Sequence, residues 1–156
     1  MTPAINLAKK LKLEFNTHEY EHDPNHPSYG VEAAEKLGVE PARVFKTLVV
    51  QNDQDNLSVA ILPVEQRLNL KKIAKVTGAK KAIMADPKLV ERSTGYVLGG
   101  VSPLGQKKRL PTVIDDSAKL FSTIFVSGGK RGLEIELSPQ VLANALQASF
   151  ADLLQE

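Results

Sequence analysis

The chain has 156 residues, which is the size of one ordinary domain and is long enough to bury a substantial core. Hydrophobic residues make up 42% of it and charged residues 24%, a balance that is typical of a globular protein and excludes the disordered and fibrous classes. The net charge of +2 argues against nonspecific coating of nucleic acid. Because there is no cysteine, disulfides, thiolate metal sites and a cysteine nucleophile are excluded.

No apolar run approaches the roughly 20 residues that a membrane-spanning helix needs. The opening segment MTPAINLAKKLKL has a helix-like pattern with lysines inside it, in place of the continuous apolar stretch of a signal peptide. We therefore expect a cytoplasmic protein that has no membrane partner.

The first half of the chain predicts two helices and three strands. Thr2 and Pro3 favour a helix start, and the apolar stripe behind them predicts a helix over 3–13. The alternating stretch FNTHEYEH predicts a strand that ends at a proline-rich loop, and VEAAEKLG predicts a short helix closed by Gly38. The runs VFKTLVV and LSVAILPV predict two paired strands on either side of the turn QNDQDN.

The second half predicts two helices, then strands, then a last helix. The helical segments are LKKIAKVTG and DPKLVERS, and the strand signals are GYVLGG, PTVID, STIFVSGG and GLEIEL. SPQVLANALQASF predicts a helix with Ser138 as N-cap and Pro139 at its first position. Many short strands with irregularly placed helices favour one α+β domain over 1–156, built on a curved, barrel-like mixed sheet surrounded by helices.

Two patterns suggest chemistry that their context does not support. His18, His22 and His26 are spaced by four, which would align three metal ligands on a helix, but this stretch alternates as a strand and is broken by a proline. Ser127 and Lys130 match the S-x-x-K signature of serine–lysine hydrolases, yet two glycines separate them at a strand end and not on a helical turn. We expect neither a metal site nor a serine nucleophile here, and no cofactor.

The glycine-rich stretch GVSPLGQK, residues 100–107, nearly matches the nucleotide-binding P-loop. Gln106 stands where the P-loop has its lysine, no hydroxyl residue follows, and Pro103 removes a backbone donor. Nucleotide hydrolysis is therefore not expected. Two interpretations of the loop stay open: its N–H groups converge on one oxygen, as in an oxyanion site, or it is a hairpin without a ligand.

Lys46 interrupts the apolar run RVFKTLVV. On a strand it shares a face with Val44, Leu48 and Val50, so a charge stands among apolar side chains. A buried ammonium is costly without a partner. The side chain either reaches the sheet edge, or it points into a pocket and meets an anion or a developing negative charge.

Three separated motifs, VFKTLVV, STGYVLGGVSPLGQKKR and VSGGKRGLEIELSP, resemble the YbaK family of aminoacyl-tRNA deacylases, which is related to the inserted editing domain of bacterial prolyl-tRNA synthetases. The likeness covers nearly the whole chain. It implies an editing-domain-like fold, a tRNA 3′ end as substrate and prolyl-tRNA synthetase as partner. It also implies that the enzyme clears cysteine from tRNA(Pro), with the substrate thiol attacking its own ester to leave a thiolactone.

The resemblance assigns roles to individual positions. Lys46 corresponds to the lysine of the F-K-T motif, and Gly100 and Val101 lie in the loop that presents backbone groups to the aminoacyl moiety. Glu134 stands where the family has an acidic residue, often the shorter Asp. The substrate-binding residues implied, with the cationic ones taking the terminal phosphates, are Tyr20, Thr47, Gly99, Ser102, Pro103, Ser127, Lys130 and Arg131.

Two other functions remain open at this point. A relative that clears alanine from tRNA(Pro) with water shares the fold and the lysine, and a module that only binds the tRNA 3′ end would keep the pocket without turnover. Aromatic residues make up 5% of the chain and no RNA-recognition motif is present. We therefore expect a partner to supply the recognition of the tRNA body.

Overall fold

The computed structural model describes all 156 residues and contains five α-helices and eight β-strands. The helices are α1 (Pro3–Lys10), α2 (Tyr29–Leu37), α3 (Leu70–Val76), α4 (Pro87–Thr94) and α5 (Pro139–Leu146). The strands are β1 (Phe15–Glu19), β2 (Phe45–Asn52), β3 (Leu57–Pro63), β4 (Ala82–Met84), β5 (Thr112–Asp115), β6 (Ile124–Ser127), β7 (Leu133–Leu137) and β8 (Ser149–Ala151). Two short 3-10 helices lie at Pro41–Arg43 and Asp116–Leu120.

The strands form two sheets. A three-stranded antiparallel sheet has the order β1-β7-β6, and a five-stranded sheet has the order β4-β2-β3-β5-β8. The second sheet is mixed, because β3 pairs with β5 and β5 with β8 in parallel while the other pairs are antiparallel. An isolated bridge between Val44 and Phe125 connects the sheets. The predicted α+β class and mixed sheet are confirmed, although the strands do not close into a barrel.

Apolar side chains hold the two sheets together. The largest buried cluster joins β2 and β3 of one sheet to β6 and β7 of the other, through residues that include Val49, Ile61, Val126 and Ile135. A second cluster lies on the opposite face of the five-stranded sheet beneath α3, and a third joins α2 to the Val44–Phe125 junction. β3 is buried on both faces, which explains why its sequence is a nearly continuous apolar run and does not alternate with polar residues.

One predicted strand is wrong. GYVLGG forms no ladder, because Gly95 ends α4 in the left-handed conformation with φ at 83°. The N–H of Tyr96 then bonds to Thr94 Oγ1, and a turn closes where Gly100 N donates to Val97 O. Helix capping and turn chemistry therefore override the strand-like alternation.

Two predicted helices are shorter than expected, and two short strands escape prediction. α1 ends at Lys10 because Lys12 adopts φ 55°, and α5 ends at Leu146 because Gln147 adopts φ 52°. The residues after α5 become β8, which pairs with β5. β4 has three residues and pairs with the end of β2. Such short segments carry too little periodicity to be predicted.

None of the helices is both long and apolar enough to cross a membrane.

Candidate functional site

A cavity of about 330 Å³ lies beside the bridge between Val44 and Phe125, with residues of both β2 and β6 in its wall. β2 pairs with β3 along one side and with β4 along the other, but the pairing with β4 begins only at Val50. Lys46 and Thr47 therefore lie on a part of β2 that β4 does not cover. The cavity is lined by Tyr20, Pro27, Ser28, Tyr29, Gly30, Val44, Phe45, Lys46, Thr47, Leu48, Val64, Leu98, Gly99, Val101, Ser127 and Glu134.

Lys46 lies half-buried in this cavity. Its Nζ donates hydrogen bonds to the main-chain carbonyls of Gln66, at 2.6 Å, and Val64, at 3.4 Å. Burial lowers the pKa of Lys46 below its usual value, and the nearby positive charge of Arg67 lowers it further. The two carbonyls hold the ammonium without neutralising it, so the charge remains available to an anion.

Thr47 of β2 and Ser127 of β6 both line the cavity. The hydroxyl oxygen of Thr47 is buried and has no hydrogen-bond partner within the protein, whereas Ser127 Oγ accepts from the N–H of Gly129. A buried hydroxyl without a partner costs free energy, which a ligand can recover by bonding to it. Thr47 therefore stands out as a candidate ligand contact, and Ser127 as a side chain fixed by its own turn.

Glu134 brings a carboxyl group into the cavity. It lies on β7 directly opposite Ser127 of β6, and it is 7% exposed. Burial raises its pKa to about 8, with no hydrogen bond or opposite charge to offset that shift. The pKa of Tyr20 rises to about 12, first through burial and then through the charge of Glu134. Near neutral pH the carboxyl group is therefore mostly protonated and can donate a hydrogen bond.

The glycine loop contributes two unpaired main-chain donors. Gly99 and Val101 line the cavity, and neither N–H has an acceptor within the protein. Gly100 differs, because its N–H donates to Val97 O and its α-carbon packs on Lys130, whose Cα would lie 2.8 Å from an added Cβ. The N–H of Gly100 is therefore occupied within the loop, and a role for its backbone at the substrate stays a prediction. The free donors belong to its two neighbours.

The loop leaves the cavity after Val101. Ser102 is fully buried and its Oγ accepts from the N–H of Leu104, which makes it a turn residue. Pro103 lines a second cavity of about 610 Å³ beside α1. Neither side chain lies in the first cavity, so the structure does not bring these two predicted residues together with Lys46.

The two predicted cationic residues differ in their surroundings. Lys130 is exposed beside the glycine loop. Arg131 is engaged within the protein: it lies 3.3 Å from Glu32, donates to the carbonyl of Asp23 and stacks on Tyr29. Its expected contact with tRNA phosphate is not supported by this geometry, because only 16% of the side chain is exposed.

The histidines do not form a metal centre. His18 bonds to Glu136 and His26 bonds to Glu35, and no group of three or more potential ligands is close enough to hold an ion. Only His18 lies on β1; His22 and His26 lie in the irregular segment that follows, so the three imidazoles are not aligned as they would be on one helix.

The sequence did not indicate Tyr29 or Leu98 as site residues, although both line the cavity. Tyr29 is the first residue of α2 and Leu98 lies in the wrongly predicted strand. Leu98 is 64% exposed at the cavity, an unusual place for a leucine. The sequence shows only a leucine next to two glycines, which resembles an ordinary strand residue, and its exposure at the cavity is decided by the fold.

Lys46 and the N–H groups of Gly99 and Val101 provide positive charge and unpaired donors in one small cavity. Such a set stabilises negative charge developing on a carbonyl oxygen, as ester cleavage requires. The fold and the site thus define an α+β domain with a cavity suited to carbonyl chemistry.

Comparison with known proteins identifies the family. Residues 23–145 match the aminoacyl-tRNA editing domain family. A protein of Enterococcus faecalis with the provisional name Cys-tRNA(Pro)/Cys-tRNA(Cys) deacylase EbsC is 40% identical over 97% of this chain and 92% of its own. A proline–tRNA ligase of Brachyspira hyodysenteriae is 25% identical over 59% of this chain and 16% of the ligase.

A solved structure supports the fold. The crystal structure described as a candidate trans-editing enzyme for prolyl tRNA synthetase superposes with a TM-score of 0.85 at 23% identity, covering 100% of this chain and 99% of that one. The chain belongs to the aminoacyl-tRNA editing domain family, as its motifs indicated. It is an aminoacyl-tRNA deacylase, an enzyme that cleaves the ester between an amino acid and tRNA.

Proposed function

We propose that this enzyme acts in trans to clear cysteine from mischarged tRNA(Pro), and that the thiol of the substrate is the nucleophile. The observation that supports this most directly is the lack of an activated nucleophile among the cavity residues. The chain has no cysteine, no histidine lines the cavity, and the hydroxyl of Ser127 bonds to a backbone N–H and not to a base.

The cavity groups are proposed to position the ester. Lys46 meets the terminal phosphate or the carbonyl oxygen, and the N–H groups of Gly99 and Val101 stabilise the oxyanion of the tetrahedral intermediate. Thr47 supplies its unpartnered hydroxyl to the aminoacyl moiety. Tyr20, Ser127 and the protonated Glu134 complete the wall around that moiety. Lys130 lies outside the cavity and is proposed to contact backbone phosphate.

The proposed reaction balances without a group from the enzyme. The substrate sulfur forms a bond to its own ester carbonyl carbon, the bond from that carbon to the ribose oxygen breaks, and the thiol proton ends on the ribose oxygen. The products are a thiolactone and tRNA with a free terminal hydroxyl. An ester is already activated, so holding it in this geometry supplies much of the rate.

A water-dependent activity on alanyl-tRNA(Pro) is the second candidate, and Glu134 is the observation that favours it. A carboxyl group with a pKa of about 8 retains a deprotonated fraction near neutral pH and is basic enough to activate water. The distinction depends on whether the nucleophile comes from the substrate or from solvent.

The whole chain is proposed to act as one deacylase domain that contacts mainly the tRNA 3′ end. One domain of this size with few aromatic residues has little surface for reading a tRNA body. We propose that prolyl-tRNA synthetase supplies that recognition, consistent with the likeness to part of a proline–tRNA ligase.

The experiment is a deacylation screen with tRNA(Pro) carrying cysteine, serine or alanine, with product analysis. Serine replaces the sulfur of cysteine by oxygen, so the thiol mechanism predicts cysteine cleavage about 100-fold faster than serine cleavage, and trapping of a thiolactone. Equal rates for all three would support water as nucleophile. Binding without turnover would identify a module that only holds the tRNA 3′ end.

A further inference from the structure

A buried ion pair lies behind one wall of the cavity and has no role in the reaction proposed above. Glu32 of α2 is 0% exposed, and its Oε1 lies 3.3 Å from Nη2 of Arg131 in the turn between β6 and β7. Burying two charges is costly, and apolar residues of similar volume often give equal or greater stability. The pair therefore points to a positional role.

The pair holds the segment between β1 and α2, residues 23–28. Glu32 Oε2 accepts from the N–H of Asp23 at 2.6 Å, and Arg131 Nη2 donates to the carbonyl of Asp23 at 2.8 Å. A further contact joins Arg131 to the carbonyl of His26 at 3.4 Å. The segment belongs to no helix or strand, so these bonds to charged groups are central to its placement.

Arg131 also fixes the aromatic ring at the end of that segment. Its guanidinium carbon lies 4.1 Å from the ring centroid of Tyr29, a cation–π contact. The ring packs against Gly99, where an added Cβ would lie 2.9 Å from Tyr29 Cε2. Tyr29 therefore joins the 23–28 segment to the glycine loop, and both belong to the cavity wall.

We propose that Arg131 and Glu32 are positioning residues that hold the 23–28 segment and the Tyr29 ring in place, and that they set the affinity for the aminoacyl end of tRNA. A preordered wall avoids the entropy cost of ordering a loose segment when substrate binds. Neither residue has a contact to Lys46 or Val101, so ester cleavage in the bound complex proceeds without them. The kinetic part of this inference rests on the proposed function.

The test uses the full chain with Arg131→Met, Arg131→Lys and the double variant Glu32→Gln/Arg131→Met. The single Met variant leaves Glu32 buried without a counterion and loses stability. The double variant removes both charges, so no unpaired charge stays buried and the fold is expected to persist. It also removes the Arg131 bonds to the carbonyls of Asp23 and His26, while the glutamine amide oxygen can still accept from the N–H of Asp23, so a loss of order reports on Arg131. Arg92→Met, which removes an exposed arginine on α4, is the matched control.

Two readouts are measured: amide hydrogen exchange of residues 21–31 in the free protein, and KM and kcat for the aminoacyl-tRNA that the wild type cleaves fastest. In the double variant we expect exchange to accelerate about tenfold or more and KM to rise about tenfold, with kcat within about twofold of wild type. Arg131→Lys retains the positive charge but not the planar guanidinium group. Its exchange rate and KM should therefore lie between those of the wild type and those of the double variant.

A folded double variant with wild-type exchange or a wild-type KM overturns the proposal, and so does a fall in kcat at constant KM. The exchange readout needs no substrate. A wild type without deacylase activity would therefore refute the proposed function, while exchange would still decide whether the pair orders the segment.

Discussion

The ammonium of Lys46 lies 2.6 Å from the main-chain oxygen of Gln66, in the turn that follows β3. Main-chain carbonyls orient the charge and leave it formally unneutralised, in a cavity whose burial already lowers the lysine pKa. A lysine side chain that extended to the sheet edge would be solvated by water and would not require two main-chain acceptors. The arrangement instead suits a fixed point charge next to an anion.

Lys46→Ala is expected to reduce deacylation at least about 100-fold while the melting temperature changes little, because a half-buried ammonium contributes little net stability. Lys46→Arg should not restore activity, since a planar fork cannot occupy the place of a compact ammonium between two carbonyls. Rates are measured beside thermal melting, with the exposed Lys88→Ala as control. Wild-type rates in Lys46→Ala would remove this residue from the mechanism.

Thr47→Val should lower activity by about tenfold and leave stability unchanged or raise it by up to about 1 kcal/mol. The hydroxyl oxygen is buried without a partner, so its removal relieves an unsatisfied group in the free protein. Thr77→Val is the contrasting control, because Thr77 Oγ1 donates to Ile73 O at 2.7 Å far from the cavity. Thr47→Val should lose activity without losing stability, whereas Thr77→Val should lose stability without losing activity. Deacylation rates and the free energy of unfolding from denaturant titrations measure the two effects.

Gly99→Ala and Gly100→Ala are both expected to lose deacylation activity, but for different reasons. Gly99 has φ +90° and meets Tyr29, so alanine there displaces a donor and the wall of the site. Alanine at Gly100 meets the backbone at Lys130, so stability should fall together with activity. Gly38→Ala, with φ +67° and open space, measures the cost of backbone strain alone, about 1 kcal/mol.

In these glycine variants activity is compared with the free energy of unfolding. Gly99→Ala should lose somewhat more stability than Gly38→Ala because of the added contact with Tyr29, and it should lose activity that Gly38→Ala keeps. Equal activity in the two would show that the loop is a structural hairpin.

Glu134 should make the protein less stable as pH rises from about 5 to about 8. Its folded-state pKa of about 8 lies above the usual value of 4.5, so in this window the folded state binds more protons than the unfolded state. The stability contributed by this group is therefore complete below the unfolded pKa and is lost as pH rises through the folded pKa. A tenfold difference in proton affinity between the folded and unfolded states corresponds to about 1.4 kcal/mol.

Glu134→Gln removes that titration. Its unfolding free energy relative to wild type should increase by at least about 1 kcal/mol between pH 5 and pH 8 in denaturant titrations. A constant difference across that range would show that the carboxyl group titrates normally in the folded protein.

Binding of charged tRNA should weaken with salt and discriminate poorly between tRNA bodies that carry the same amino acid, because the contact is mainly to phosphate. Lys130→Ala should reduce the slope of log affinity against log salt by about one, while Lys75→Ala on α3 should not change it. Strong preference of the isolated protein for one tRNA body would contradict this interpretation.

The sequence determined the class of fold and identified Lys46 as the leading candidate site residue. Alternation and capping signals are local, so they predicted most strands and the starts of several helices. Lys46 was identifiable because a charge within an apolar strand violates a local rule, and such violations concentrate at functional sites. The lack of cysteine likewise excludes a thiol nucleophile from the protein itself, which is a matter of composition and not of folding.

Tertiary structure alone decided which groups are free to bind. The N–H of Gly100 is occupied by Val97 O, while those of Gly99 and Val101 are unpaired, and no sequence pattern separates these neighbours. The contact of Arg131 with Glu32 joins residues 99 positions apart along the chain. Periodicity reports how one element buries its side chains, whereas a hydrogen-bond partner depends on which distant segment folds beside it.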